Sequence, residues 1–252
     1  MNEKSRPLGV LQVIKTGFLV YRRHFFRFFA LSMTVGLPIY LLFLLFAVPV
    51  DVSNPIVRIY AGLNTLVFAL VGSTMIRIPL LYEMIQEKEG THPSFTESLG
   101  ALFRYGWPVF FTAVLTCLFI VFGLILLIVP GLVMLVWFAF YPQVLIKEKT
   151  GMVESLVRSK ELVTGSAIKV FFFLIFCFVL EYATSLLLVD IALASFSTNI
   201  VIALGVQCLL YVLLLPVEAA ILTTAYYDCR LRKEAYQPAA FSKMGRTTAK
   251  SI

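Results

Sequence analysis

Residues 123–165 read GLILLIVPGLVMLVWFAFYPQVLIKEKTGMVESLVRSKELVTG. Two apolar runs meet at Pro130-Gly131 with no charge between them, and polar sequence resumes only at Lys147. A bend inside apolar sequence followed by a return to charge describes a membrane hairpin. The second run, Leu132 to Ile146, is about 22 Å long at helical rise, short for a hydrocarbon core of ~30 Å. Either Pro130-Gly131 sits below the outer surface or the bilayer is thinned there. The pair is expected to form a tight turn with its backbone shielded from lipid, because an unpaired amide in hydrocarbon is costly. Met152 to Val163 then reads as a short amphipathic helix on the cytoplasmic face, with Val153, Leu156, Val157 and Leu162 against the span ends. Glu154 precedes Arg158 by four residues, the order that favours an ion pair. Gly165 is placed to end the helix in a left-handed cap.

Composition agrees with a bilayer protein. Of 252 residues, 60% are hydrophobic and 14% charged, against about 25% charged in soluble domains. The net charge of +7 is read as Lys and Arg gathered on cytoplasmic segments, with anionic lipid head groups as partners and no nucleic acid. Cys117, Cys177, Cys208 and Cys229 form no C-x-x-C pair and read as small hydrophobes. No signal peptide is evident.

Working outward, the sequence predicts an all-α integral membrane protein with six spans, at about 28–50, 59–82, 107–128, 132–146, 166–189 and 199–226. Residues 1–236 form one polytopic domain, and 237–252 form a basic, disordered cytoplasmic tail. The segment 7–24 carries apolar residues at helical spacing with Lys15, Arg22 and Arg23, as in a helix lying on the membrane surface. His24 reads as an interfacial residue. Pro38 is expected to kink the first span. Asp51 to Arg58 is a short connection, and Glu83 to Thr91 is charged and soluble. Ser94-Phe-Thr-Glu97 has the form of a capping box that opens a short helix to about Tyr105, and Trp107 suits the interface at the start of the third span.

Eighteen Lys and Arg fall on one side of this layout against Arg58 alone on the other, which places both termini in the cytoplasm. Three times a short amphipathic helix precedes an outward-running span, suggesting three repeated surface-helix-plus-hairpin units.

Polar residues inside apolar runs are candidates for function. Glu181 and Gln207 fall at similar depth in the outer half of spans five and six, where they could share a hydrogen bond. Asp190 sits at the outer interface. Glu218 lies about 15 Å from the inner end of span six, where a bare carboxylate costs at least ~2.5 kcal/mol. It should be paired with Arg77 or Lys169, or be protonated; alternatively both cations snorkel to lipid heads.

Taken in order, Tyr21-Arg22-Arg23-His24-Phe25, Val129-Pro130-Gly131, Trp137, Pro142, Glu148, Gly151, Arg158-Ser159, Leu162, Gly165 and Tyr226-Tyr227-Asp228-Cys229-Arg230 resemble the six-span membrane domain fused to some bacterial glycerophosphodiester phosphodiesterases and also found alone. The resemblance covers nearly the whole chain. It implies a multi-pass protein of the bacterial plasma membrane, with Pro130, Gly131, Trp137, Pro142, Arg158, Gly165, Tyr227, Asp228 and Arg230 as structural motif positions. It implies the membrane domain and not the catalytic one, which in the fused proteins is a separate metal-dependent barrel.

His24 and His92 are the two histidines, and no carboxylate cluster accompanies either in sequence. No H-E-x-x-H, G-x-S-x-G, P-loop or Rossmann pattern occurs. No catalytic residue, metal or cofactor is therefore assigned. The expected function is a non-catalytic scaffold, partner-binding or lipid-interacting module, its protein partner unknown. The alternative is a small transporter or lipid-handling permease that uses the intramembrane acids.

Overall fold

The computed structural model describes residues 8–46, 55–195 and 200–234. The side chains of Glu181, Asp190, Gln207 and Cys208, the connection 51–54 and the tail 237–252 lie outside the described residues. Within them the chain is helical and no strand forms: α1 (Val10–Arg23), α2 (Phe25–Phe46), α3 (Pro55–Lys88), α4 (Phe95–Leu126), α5 (Ile128–Trp137), α6 (Tyr141–Glu148), α7 (Met152–Val163), α8 (Ala167–Ser195) and α9 (Ile200–Glu234).

Three helical stretches among the described residues are long and apolar enough to cross a membrane: Phe95–Leu126, Ile128–Glu148 taken across its inner turn, and Val212–Glu234. The pair Met152–Val163 and Ala167–Leu180, bent by 108°, makes a fourth if counted as one span. The outer surface carries a continuous apolar belt. Leu118, Phe122, Ile125, Leu126, Leu127, Ile128 and Val129 are exposed on the α4–α5 hairpin, and Phe172, Phe178 and Val179 on α8. An apolar surface of this extent belongs against lipid, since water-soluble monomers rarely expose contiguous patches beyond a few hundred Å².

α9 is the central post. Residues 219–229 are buried without a break, and α9 packs against α1, α2, α3, α7 and α8. α1 lies across it at close range: a Cβ on Gly17 would come within 3.0 Å of the Ile221 backbone. Val13, Gly17 and Tyr21 form the buried stripe of α1, while Leu11 and Phe18 on its other side are exposed, as a surface helix that also faces lipid requires. Pro216 removes a backbone donor inside α9, and the Tyr21 hydroxyl donates to the Leu213 carbonyl nearby at 3.2 Å.

Several expectations are corrected. The hairpin turn is not at Pro130-Gly131. The chain reverses at Leu127, whose backbone is extended (φ −164°, ψ 149°), and Pro130 and Gly131 sit in the first turn of α5. There Pro needs no donor partner, and Gly131 meets α4 instead. A Cβ on Gly131 would lie 2.4 Å from Leu124 Cγ and 2.8 Å from the Leu124 nitrogen, and one on Gly123 would lie 2.9 Å from Gly131 Cα. The two glycines let the backbones of a tight hairpin touch, as small residues do between membrane helices.

The fourth span is broken at residues 138–140, because Pro142 at the start of α6 supplies no amide to continue the ladder. The buried Ser159 of α7 repairs the break. Its hydroxyl donates to the Trp137 carbonyl at 2.7 Å and accepts from the Phe140 amide at 3.1 Å. This need for a small polar residue re-aims α7. Its inward stripe is Ser155, Leu156, Ser159, Leu162 and Val163, so Leu156 and Leu162 pack inward as expected while Val153 and Val157 face outward. Gly165 follows with φ +92°.

The short helix opened at Ser94 does not stop at Tyr105 but runs through Pro108 into α4. Likewise α3 continues to Lys88, so Glu83 to Lys88 is helix and not soluble loop. Its end is bonded on two sides. Glu83 is ion-paired with Arg27 at 2.7 Å and accepts from the Ser98 hydroxyl, and His24 Nε2 lies 3.0 Å from Glu87. The three helices expected at the surface share one local device: the backbone amides of Gly9, Ser94 and Gly151 are held by the side chains of Gln12, Glu97 and Glu154, each three residues on.

Candidate functional site

Among the described residues the helix crossings leave a cavity of about 540 Å³. Its walls are mostly apolar, from Ile78, Leu81, Val109, Leu135 and Leu222, with Leu132, Ile175 and Phe178 among the residues that line it. Those last three are also exposed on α5 and α8. The mouth therefore lies between these two helices and faces the apolar belt.

Polar side chains interrupt the lining: Thr74, Arg77, Thr116, Tyr141, Gln143 and Glu218. Arg77 of α3 and Glu218 of α9 form an ion pair, with Nη2 2.8 Å from Oε2. Gln143 of α6, 1% exposed, and Thr116 of α4 also line the space, and the Gln143 amide oxygen and Thr116 hydroxyl are buried with no hydrogen-bond partner. A buried polar atom without a partner costs about 1–3 kcal/mol, so these two atoms are poised to receive one. Between them they offer an acceptor and a donor–acceptor. The arrangement is a mostly apolar slot interrupted by a few polar groups, two of them with unpartnered atoms.

Of the two cations that sequence offered to Glu218, the structure gives Arg77. Lys169 instead stands 3.7 Å from Asp228 and donates to the Leu8 carbonyl at 2.7 Å. Glu181 and Gln207, expected to bond in the outer half, lie outside the described side chains.

Of the motif residues, Pro142 lines the cavity and Pro130 and Gly131 lie in the α4–α5 hairpin, while Arg158, Tyr227, Asp228 and Arg230 join a network of charged side chains. Asp228 accepts from the Leu8 amide at 2.7 Å and from Arg232 at 2.9 Å, tying the residue ahead of the α1 cap to α9. Tyr227 donates to Glu89 at 2.8 Å, and Glu89 also pairs with Lys147 at 2.9 Å. Tyr226 donates to Glu148 at 2.9 Å. Glu148 binds Arg158 at 2.9 Å and has Arg230 at 3.8 Å, while Arg158 and Arg230 both engage Glu234. Lys160 lies 4.2 Å over the Trp137 ring. These residues are a clamp joining α3, α6, α7 and α9 to Leu8, just ahead of α1. Within it, burial pushes the Glu83 carboxyl up, opposed by the Ser98 hydrogen bond and the Arg27 charge. Burial pushes the Lys88 amine down to about 8, opposed by Glu87.

Sequence reasoning weighed the intramembrane carboxylates and the partners offered to them, Arg77, Lys169 and Gln207, and so missed Gln143 and Thr116. The signal for Gln143 was present: it is the one uncharged amide in the run from Leu132 to Ile146. No group of three or more His, Cys, Asp or Glu among the described residues is placed to hold a metal.

No curated protein and no solved structure matches the chain. Residues 90–229 match the domain of unknown function DUF7847; this stretch spans α4 to most of α9, taking in Gln143, Glu148, Arg158, Glu218 and Asp228 and leaving out Arg77. More than half of the chain is covered, and the protein belongs to that family.

Proposed function

We propose that this protein is a non-catalytic, lipid-interacting module of the bacterial plasma membrane, and that its cavity takes the apolar part of an amphiphile. One observation carries the reading: a cavity of about 540 Å³ whose rim is exposed apolar side chains and whose lining includes the unpartnered Gln143 amide oxygen and Thr116 hydroxyl. An ester or hydroxyl group beside an acyl chain satisfies both features at once. The resemblance to the membrane domain fused to glycerophosphodiester phosphodiesterases fits a lipid-facing role. Six spans in three units, with both termini cytoplasmic, complete the proposed architecture. The charge asymmetry supports it, as do the three matched helix starts.

The test uses the full chain in nanodiscs containing a diacyl lipid with a photoreactive group near the chain end. Adducts should map to the α5–α8 mouth, around Leu132 and Phe178. They should fall severalfold in Ala139→Trp, which fills the slot. Adducts spread evenly over the apolar belt, and unchanged in Ala139→Trp, would reject the reading.

The permease alternative draws on the same cavity, because it reaches Glu218. It requires water access: a cysteine at Ala219 should react with a membrane-impermeant thiol reagent in intact vesicles, against a background lacking the native cysteines. Protection of that cysteine from both sides leaves the binding module alone.

A further inference from the structure

A second recess, of about 270 Å³, opens elsewhere, and its character is opposite. It is lined by Tyr82 and Gln86 of α3, Arg104 and Tyr105 of α4, Lys147 of α6 and Lys149 just beyond it. Three cations meet there. Lys147 is balanced by Glu89 at 2.9 Å. Neither Arg104 nor Lys149 has a carboxylate within ion-pair distance among the described residues. The recess therefore keeps an excess of about two positive charges, with the tyrosine side chains of Tyr82 and Tyr105 as further donors.

Two features of the surroundings bear on what the recess can hold. Lys149 is the one non-glycine residue among those described with a left-handed backbone (φ 53°). It is the C-cap of α6, a position where chains commonly turn left-handed, and the turn sets the lysine at the rim of the recess. The recess also stands at the membrane–water boundary. Phe103, Trp107 and Phe111 form an exposed aromatic stripe at i, i+4, i+8 of α4, the anchor pattern of an interface. Arg104 precedes Trp107 by three residues, about 4.5 Å along the helix.

We propose that this recess binds a phosphate monoester or other doubly charged phosphate, held by Arg104 and Lys149 with Lys147 and the tyrosines completing the shell. A planar guanidinium and an ammonium lining one recess suit a phosphoryl group. The recess is small for a drug-sized ligand and adequate for a head group. Two sources share this chemistry: a phosphomonoester lipid head such as that of phosphatidic acid, and a soluble phosphate.

The experiment takes the full chain in nanodiscs of phosphatidylcholine with and without one-tenth phosphatidic acid, and counts retained lipids by native mass spectrometry. A parallel arm titrates inorganic phosphate and glycerol 3-phosphate against thermal unfolding in phosphatidylcholine alone. The paired variants are Arg104→Gln with Lys149→Gly, and Arg22→Gln with Arg23→Gln as a charge-matched control. Glycine is at ease at the Lys149 backbone, so the first pair keeps its fold. One phosphatidic acid should be retained, with affinity roughly tenfold or more weaker in the first pair and unchanged in the control. If soluble phosphate stabilises the protein in an Arg104-dependent way and phosphatidic acid binds no tighter, the site stands and its source is the aqueous phosphate. Equal losses in both pairs, or no phosphate-dependent binding in either arm, would overturn the proposal.

Discussion

Arg77 Nη2 and Glu218 Oε2 lie 2.8 Å apart across the wall of the large cavity, though 141 residues separate them in the chain. The pair couples α3 to α9 at a depth where either charge alone would be poorly solvated. Glu218→Arg puts two like charges in contact in place of a part-buried, charge-assisted hydrogen bond and should destabilise the protein by roughly 1–3 kcal/mol. Adding Arg77→Glu should restore part of the loss. Adding Lys169→Glu should not, because Lys169 belongs to Asp228. Thermal unfolding of the four proteins in one detergent measures this. Equal rescue by both second changes would mean that the pairing is not specific.

The glycine contact of the α4–α5 hairpin predicts a steric effect. Gly131→Val drives a side chain into the Leu124 backbone, and overpacking of this kind costs about 1–3 kcal/mol or more. The monodisperse fraction on size-exclusion chromatography should fall sharply. Leu127→Ala, at the actual reversal and with an exposed side chain, should leave it nearly unchanged. The opposite order would put the turn back at Pro130-Gly131.

That contrast shows what was legible in the sequence and what was not. Apolar runs, caps and charge asymmetry are local properties, so the helical class, the α7 segment and the Gly165 stop could be read directly. The hairpin residues Pro130 and Gly131 were also singled out, but for a turn. Proline and glycine mark both a reversal and a close helix crossing, and only the position of Gly123 on the facing helix separates the two. Arg77 was one of two cations at similar depth, and the choice between it and Lys169 rests on α1 reaching back to Asp228 through Leu8. Neither α1 docking nor the cavity wall at Gln143 is a property of any single stretch.

Ser159 gives a third prediction. It supplies both partners that the broken span lacks, one to Trp137 and one to Phe140. Ser159→Ala leaves a buried carbonyl and a buried amide unpaired and should cost about 1–3 kcal/mol. Thr164→Ala, which loses one exposed bond to the Lys160 carbonyl, should cost only a few tenths. The comparison is read as a difference in unfolding temperature. Equal effects would mean that water or lipid heads satisfy the break.

Lys88 makes the last prediction, through pH. It is 7% exposed, and burial holds its amine at about 8 against an ordinary value of 10.5. Between those two values the unfolded chain binds the proton that the folded chain has released, so stability rises as pH is raised through that window. Below about 8 both states are protonated, and the folded protein bears the full cost of a buried ammonium, on the order of 3 kcal/mol. Other groups titrate in the same range, so the observable is the difference between wild type and Lys88→Met. The variant should be the more stable at pH 7, and its advantage should shrink steadily between pH 8 and 10.5. An advantage that stays constant across that range would mean that Lys88 ionises as freely in the folded protein as in the unfolded chain.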